Sequence, residues 1–204
     1  MRDELLGPVH TVVATIQSLE RDSSGHIDSS QRPAWTDTYD RGCTLLEHKY
    51  YTADFINDQH PQRTDPTTVV LHSTMGDRTV HERYDESGLL VETRTTTLSG
   101  ELIDDSRNTY DAAYRVTRID SFDADCKHLD TTTFTRDADG HVIREAIDFS
   151  DGRSYIELSR YEFDRHDNWV KRFDSSNDPE KTGSKIEPRD IIFRTITYYD
   201  ENGG

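Results

Sequence analysis

From residue 69 onward, short runs rich in Val, Ile, Thr, Tyr and Phe alternate with turn-forming pairs. The pairs are Met75-Gly76, Ser87-Gly88, Ser99-Gly100, Ala113-Tyr114, Asp125-Cys126, Asp139-Gly140, Asp151-Gly152 and His166-Asp167. Taken at the second residue of each pair, the steps are 12, 12, 14, 12, 14, 12 and 15. Roughly eight to ten residues lie between turns, enough for a strand and too few for a strand plus a crossover helix. Successive strands are therefore predicted to be antiparallel. The runs LLVETRTTT, ELIDDSRNTY, RVTRIDSF, KHLDTTTFTR, HVIREAIDF, RSYIELSRYEF and NWVKRF lack Pro and partly follow the period of two expected of strands. In HVIREAIDF, Ile143, Glu145, Ile147 and Phe149 share one face, and Val142, Arg144, Ala146 and Asp148 the other. Neither face is purely apolar, which predicts a sheet wetted over much of at least one side.

Alternate turns carry a fuller signature of aromatic, Asp and a later Gly. It is read at Tyr39-Asp40-Arg41-Gly42, Tyr84-Asp85 with Gly88, Tyr110-Asp111 with Tyr114 in place of Gly, Phe163-Asp164 with Asp167 in that place, and Tyr199-Asp200 with Gly203. A weaker copy ends in Asp139-Gly140. Asp accepts hydrogen bonds from the N–H groups that follow it, and Gly takes the positive-φ position of a short hairpin loop. Two stretches break the rhythm and read as long loops, residues 57–68 with two Pro, and residues 174–188. The expected architecture is all-β: one domain over residues 1–204, clear repeats in 69–204 and looser strands in 1–56. It is an extended, curved antiparallel meander of about a dozen strands, with small helical turns confined to the two loops. The first and last strands, near Val9 to Ile16 and Ile191 to Tyr199, must pair with each other, be covered or be charged. Closure or self-association through the sheet edges follows.

Composition narrows the partners. Only 32% of residues are hydrophobic and 31% charged, with mean hydropathy -0.88, so there is little material for a thick core. The balance of 24 basic against 40 acidic residues gives a net charge of -16, which repels nucleic acid and anionic membranes. No window approaches the ~18–20 apolar residues of a membrane-spanning helix. Cys43 and Cys126 sit in no metal-like spacing and read as free thiols.

The segments YDESGLLVETRT, YDAAYRVTRI, DADGHVIREA, FDRHDNWVKR and YYDENG resemble the YD repeats of bacterial RHS-type and wall-associated proteins, well over residues 80–204 and loosely before that. The resemblance implies scaffolding or binding, in a secreted, cell-surface or periplasmic setting whose export signal is absent from this chain. The chain is far too short to enclose a cargo domain, which argues against the shell role of the long relatives; a fragment of a larger shell stands as an alternative.

Candidate chemistry is sparse. Asp137 with Asp139, and Asp123 with Asp125, suggest calcium, but Thr135 breaks the alternation of a calcium loop, and ordinary hairpin turns explain them. His72 and His81 flank the Gly76 turn and are expected to face each other across a hairpin without a third ligand. No nucleophile elbow, phosphate loop or dinucleotide fingerprint is present, so no cofactor, metal or catalytic residue is assigned. Trp35, Tyr50, Tyr51, His60 and Trp169 are the candidate binding residues for a protein or carbohydrate, with the two tryptophans also fitting a role as sheet cover. The function expected is a non-enzymatic bacterial surface or secreted binding module that presents turns and loops. The alternative is a hydrolase with a carboxylate or His groove.

Overall fold

The structure, a computed structural model, describes residue 5 and residues 9–19, 24, 27, 30–40, 45–50, 62–63, 67–72, 78–181 and 183–199. Among them every regular element is a strand. There are fourteen, slightly more than the rhythm predicts: β1 (Val9–Ser18), β2 (Gln31–Tyr39), β3 (Leu45–Tyr50), β4 (Gln62–Arg63), β5 (Thr68–His72), β6 (Arg78–Tyr84), β7 (Leu90–Thr97), β8 (Leu102–Tyr110), β9 (Val116–Asp123), β10 (His128–Arg136), β11 (Val142–Phe149), β12 (Ser154–Phe163), β13 (Trp169–Ser176) and β14 (Glu187–Tyr198). From β7 on, the predicted strands lie within a few residues of these bounds.

From β6 to β13 one five-residue turn does the connecting. In each copy the N–H of a leading residue donates to the carbonyl four residues on, and the N–H three residues on donates back to the leading residue's carbonyl. The leading residues are Asp85, Thr97, Asp111, Asp123, Asp137, Phe149 and Asp164. The fourth position of each turn has positive φ, between 59° and 98°, at Gly88, Gly100, Tyr114, Cys126, Gly140, Gly152 and Asp167. The two kinds of turn read from the sequence thus share one backbone and differ in side chains. Where Asp leads, its Oδ1 takes two further N–H groups, as Asp85 does from Ser87 and Leu89 at 2.9 Å each. Thr97 uses its hydroxyl on the Glu101 N–H, and Phe149 has no side-chain acceptor to offer.

The chain divides into two compact units, although its composition shows no break. The first takes residues 1–58, 159–176 and 187–204. In it β1 lies between β2 and β14, and β13 follows β14, all antiparallel. The expectation about the ends is met by pairing: Val9 stands opposite Tyr198, and Ser18 opposite Asp190. The core of this unit is Ala14, Trp169 and Ile192, with Ile16, Ala34, Trp35 and Tyr161 packed on it. Arg194 is also buried, its guanidinium carbon 4.0 Å from the Trp169 ring centre, so the aromatic face offsets part of the desolvation of that charge.

The second unit takes residues 59–158 and 177–186, and it runs as a meander from β4 to the first half of β12. Bulges recur next to the turns, for example between Arg83 and Tyr84, Thr109 and Tyr110, and Thr135 and Arg136. Each absorbs the odd residue that a five-residue turn adds. Among the described residues β3 and β4 have one paired neighbour each, so the strands at the ends of the order come from the middle of the sequence.

Both expected loops are shorter than their sequence suggests. Gln62–Arg63 pairs with β5, and Thr68 already belongs to β5. Asp174–Ser176 ends β13 and Glu187–Pro188 opens β14, leaving residues 177–186 as the connection. Asp174 can finish a strand while buried because Arg172 and Ser159 donate to its carboxylate at 2.9 and 2.8 Å.

Candidate functional site

Antiparallel pairing puts directly opposed residues on one face of the sheet. Followed across the second unit, it brings Thr68, Arg83, Glu92, Arg107, Asp120, Thr131, Asp148 and Ser154 into one row over eight adjacent strands, β5 to β12. Every member is polar, and the central ones alternate in charge. At an inter-strand spacing of ~4.8 Å the row is about 34 Å long. A second row on the same face runs His81, Arg94, Asp105, Phe122, His128.

The charges are tied along and across strands. Arg83 Nε donates to Glu92 Oε2 at 2.7 Å. Arg107 Nη2 donates to Asp105 Oδ2 at 3.1 Å, and its guanidinium carbon lies 4.8 Å from the Phe122 ring centre. Arg118 grips Asp120 with Nε and Nη2 at 2.7 and 2.6 Å, and the Thr131 hydroxyl donates to the same carboxylate at 2.7 Å. Short side chains are buried by long ones lying over them: Asp105 is 3% exposed, Thr96 and Thr131 below a tenth, while the arginines remain about half exposed. Electrostatics follow geometry. Hydrogen bonding from Arg118, reinforced by Thr131 and His128, holds Asp120 at about 2 against an ordinary 3.8. The Arg83 hydrogen bond lowers Glu92 in the same way.

At the β5–β8 end lies a groove of about 370 Å³, lined by Thr68, His81, Arg83, Glu92, Arg94 and Thr96 among others. Its lining carries two guanidiniums, Arg83 and Arg94, and two carboxylates, Glu82 and Glu92.

The residues singled out from the sequence fall elsewhere. Trp169 is 5% exposed and packed beneath Arg194, so it is a core residue and no ligand platform. Trp35 packs against the same core. The Tyr50 side chain, Tyr51 and His60 lie outside the described residues, as do Gly42, Asp200 and Gly203. Tyr39 and Tyr199 are tied together, the Tyr199 hydroxyl donating to the Tyr39 carbonyl at 2.9 Å, and Asp40 follows β2 directly. Tyr84 and Tyr110 use their hydroxyls on Glu82 and on the Leu90 carbonyl. Phe163 stands beside Tyr161, with ring centres 6.2 Å apart. The register sets His81 opposite Val70 and His72 opposite Thr79, so the two histidines do not face each other. Asp137, Asp139 and His141 bring three ligand atoms within 4.8 Å. Asp137 Oδ1 there already accepts from the N–H groups of Asp139 and His141, as in the other turns. Cys126 is a free, exposed thiol; Cys43 is outside the described residues.

No family model and no curated protein matches the chain. Among solved structures it is similar to a porin-like protein from Bacteroides uniformis ATCC 8492, with a TM-score of 0.56 over 95% of this chain and 98% of that one at 10% identity. It is also similar to a porin-like protein from Bacteroides vulgatus ATCC 8482, with a TM-score of 0.50 over 94% and 98% at 10% identity. At such identity the likeness shows a shared all-β fold. No described helix is long and apolar enough to cross a membrane, which leaves β-barrel insertion unaddressed.

Proposed function

We propose that this protein is a non-enzymatic binding module of the bacterial surface that lays an extended polysaccharide across its strands, along the polar row of β5 to β12. The row itself carries the reading: eight adjacent strands each place a hydrogen-bonding side chain on one line, at a spacing that repeats with the sheet. Guanidinium, carboxylate and hydroxyl groups already held in place by one another can meet sugar hydroxyls with little further ordering cost. The ionisation of Glu92 and Asp120 supports binding over hydrolysis, because a general acid needs a raised pKa and these two are lowered. The YD-type turns fit an exported protein, and the porin-like description of the two Bacteroides structures fits a cell-surface setting; both belong to the proposal.

A glycan array tests it. Wild type is expected to retain one or more polysaccharides, and the double variant Arg83→Gln, Arg107→Gln to weaken them at least tenfold, the loss of about 1.4 kcal/mol. An empty array at high protein concentration overturns the reading, as does retention that the double variant leaves unchanged.

A further inference from the structure

The charged groups in and beside the groove cancel. Between β6 and β9, with Glu82 from the groove lining, stand four guanidiniums, Arg83, Arg94, Arg107 and Arg118, and four carboxylates, Glu82, Glu92, Asp105 and Asp120. On the same face β11 adds one of each, Arg144 and Asp148. The hydrogen bond from Arg83 lowers the Glu92 pKa, so Glu92 stays charged through the neutral range and the cancellation with it. Neutrality leaves hydrogen-bonding capacity behind. Arg83 holds Glu92 through Nε and Oε2 at 2.7 Å. Glu92 Oε1 lies 3.8 Å from Arg94 Nη2, too far for a hydrogen bond between them. A hydroxyl oxygen about 2.8–2.9 Å from each of these atoms fits the gap, accepting from Arg94 and donating to Glu92. A carboxylate has no proton to give Glu92 and sets a second negative charge beside it, while an ammonium has no lone pair to offer Arg94.

We propose that the groove seats one hydroxyl of an uncharged sugar between Arg94 Nη2 and Glu92 Oε1, and that the polysaccharide held along the polar row is neutral. An acidic chain finds no net positive charge here to offset its desolvation, and it approaches a protein of net charge -16. A neutral chain pays neither cost and meets donors and acceptors in equal supply. The inference rests on the polysaccharide reading and names the class of chain.

Affinity electrophoresis at neutral pH tests this, in gels holding hydroxyethylcellulose, galactomannan or dextran as neutral chains and carboxymethylcellulose or polygalacturonate as acidic ones, together with any polysaccharide that the array retains. Wild type is expected to be held by at least one neutral chain about tenfold more strongly than by any acidic chain. Equal or stronger retention by an acidic chain overturns neutrality and leaves the polysaccharide reading standing; no retention by any chain brings down both. Retention by the neutral chain is expected to change less than about twofold when salt shortens the Debye length from ~10 Å to ~3 Å, and a tenfold loss overturns neutrality. Glu92→Gln keeps the side-chain shape and removes one negative charge. It is expected to weaken the neutral chain about tenfold and to gain retention by carboxymethylcellulose; a variant that holds both chains as wild type does overturns the seat. Arg94→Gln removes the donor at a half-exposed side chain and keeps the seat testable should Glu92→Gln fail to fold. It is expected to weaken the neutral chain with no gain for the acidic one, and unchanged neutral retention overturns the seat.

Discussion

Three residues carry backbone strain that their neighbours in the repeat avoid. Tyr114, Cys126 and Asp167 hold φ of 61°, 59° and 60°, where the other copies of the turn have Gly. A side chain in this left-handed region costs about 1–2 kcal/mol, and Gly gives back ~0.5–1 through its greater freedom in the unfolded chain. Tyr114→Gly is therefore expected to stabilise by about 0.5–1 kcal/mol in urea titration, since its ring is largely exposed and little packing is lost. Asp167→Gly is expected to give almost nothing, because Asp tolerates the conformation. The opposite change fails: Gly140→Ala meets φ +98° and an Arg115 Nη1 atom 2.9 Å from the new Cβ, and it is expected to destabilise.

Asp120 supplies a pH signature at the same scale. Its folded pKa, about 2, lies below the ordinary 3.8, so its contribution is complete above the unfolded value and is lost as pH falls through the folded one. The urea midpoints of wild type and Asp120→Asn are expected to differ near pH 5 and to converge as pH approaches 2. A gap that stays constant over that window would show that Asp120 acts through packing alone.

Among the elements, the turn between β12 and β13 is tied both to itself and to β14. Asp164 accepts from the N–H groups of His166 and Asn168 and from the Tyr198 hydroxyl of β14. Asn168, 2% exposed, donates to Tyr198 at 2.9 Å, and the His166 ring stacks at 4.3 Å. Burial raises the Asp164 pKa, but these donors outweigh it and keep the carboxyl ionised. Asp164→Ala is expected to cost about 3 kcal/mol, more than Tyr198→Phe at about 1–2 kcal/mol, because it strands three part-buried donors at once. Equal losses in chemical denaturation would mean that the hydroxyl, rather than the carboxylate, organises the turn. The turns were legible in the sequence because Gly, Asp and aromatic residues mark them individually: all seven second-position residues from Gly88 to Asp167 have positive φ. The polar row was not, because Arg83 and Ser154 meet only after reflection through six turns, and a bulge miscounted at any of them moves a side chain to the other face. Placing the bulges from Tyr84↔Leu90 onward gives the signal that finds the row. Trp169 misled for a different reason, since aromatic residues serve sugar stacking and core filling equally well and sequence carries no burial.

For the molecule as a whole, the pairing of β1 with β14 makes the meander continuous across its termini, while β3 and β4 stand at the ends of the order. A circular permutant that joins the old termini and opens within residues 51–61 is expected to fold with the same circular dichroism spectrum. It should fold faster, because the most distant pairing becomes a local hairpin. Loss of folding on permutation would show that the native termini matter beyond that pairing.

The same pairing sets a schedule for synthesis. β1 leaves the ribosome with one flank without its partner, and β14 is translated only after some 170 further residues. At ~5–20 residues per second this interval is on the order of ten to thirty seconds. Throughout it, the strand that carries Val9, Val12 and Ala14, which end up almost fully buried, presents an unpaired edge. A nascent chain of this design is exposed to edge-to-edge association for longer than a meander whose edge strands are adjacent in sequence.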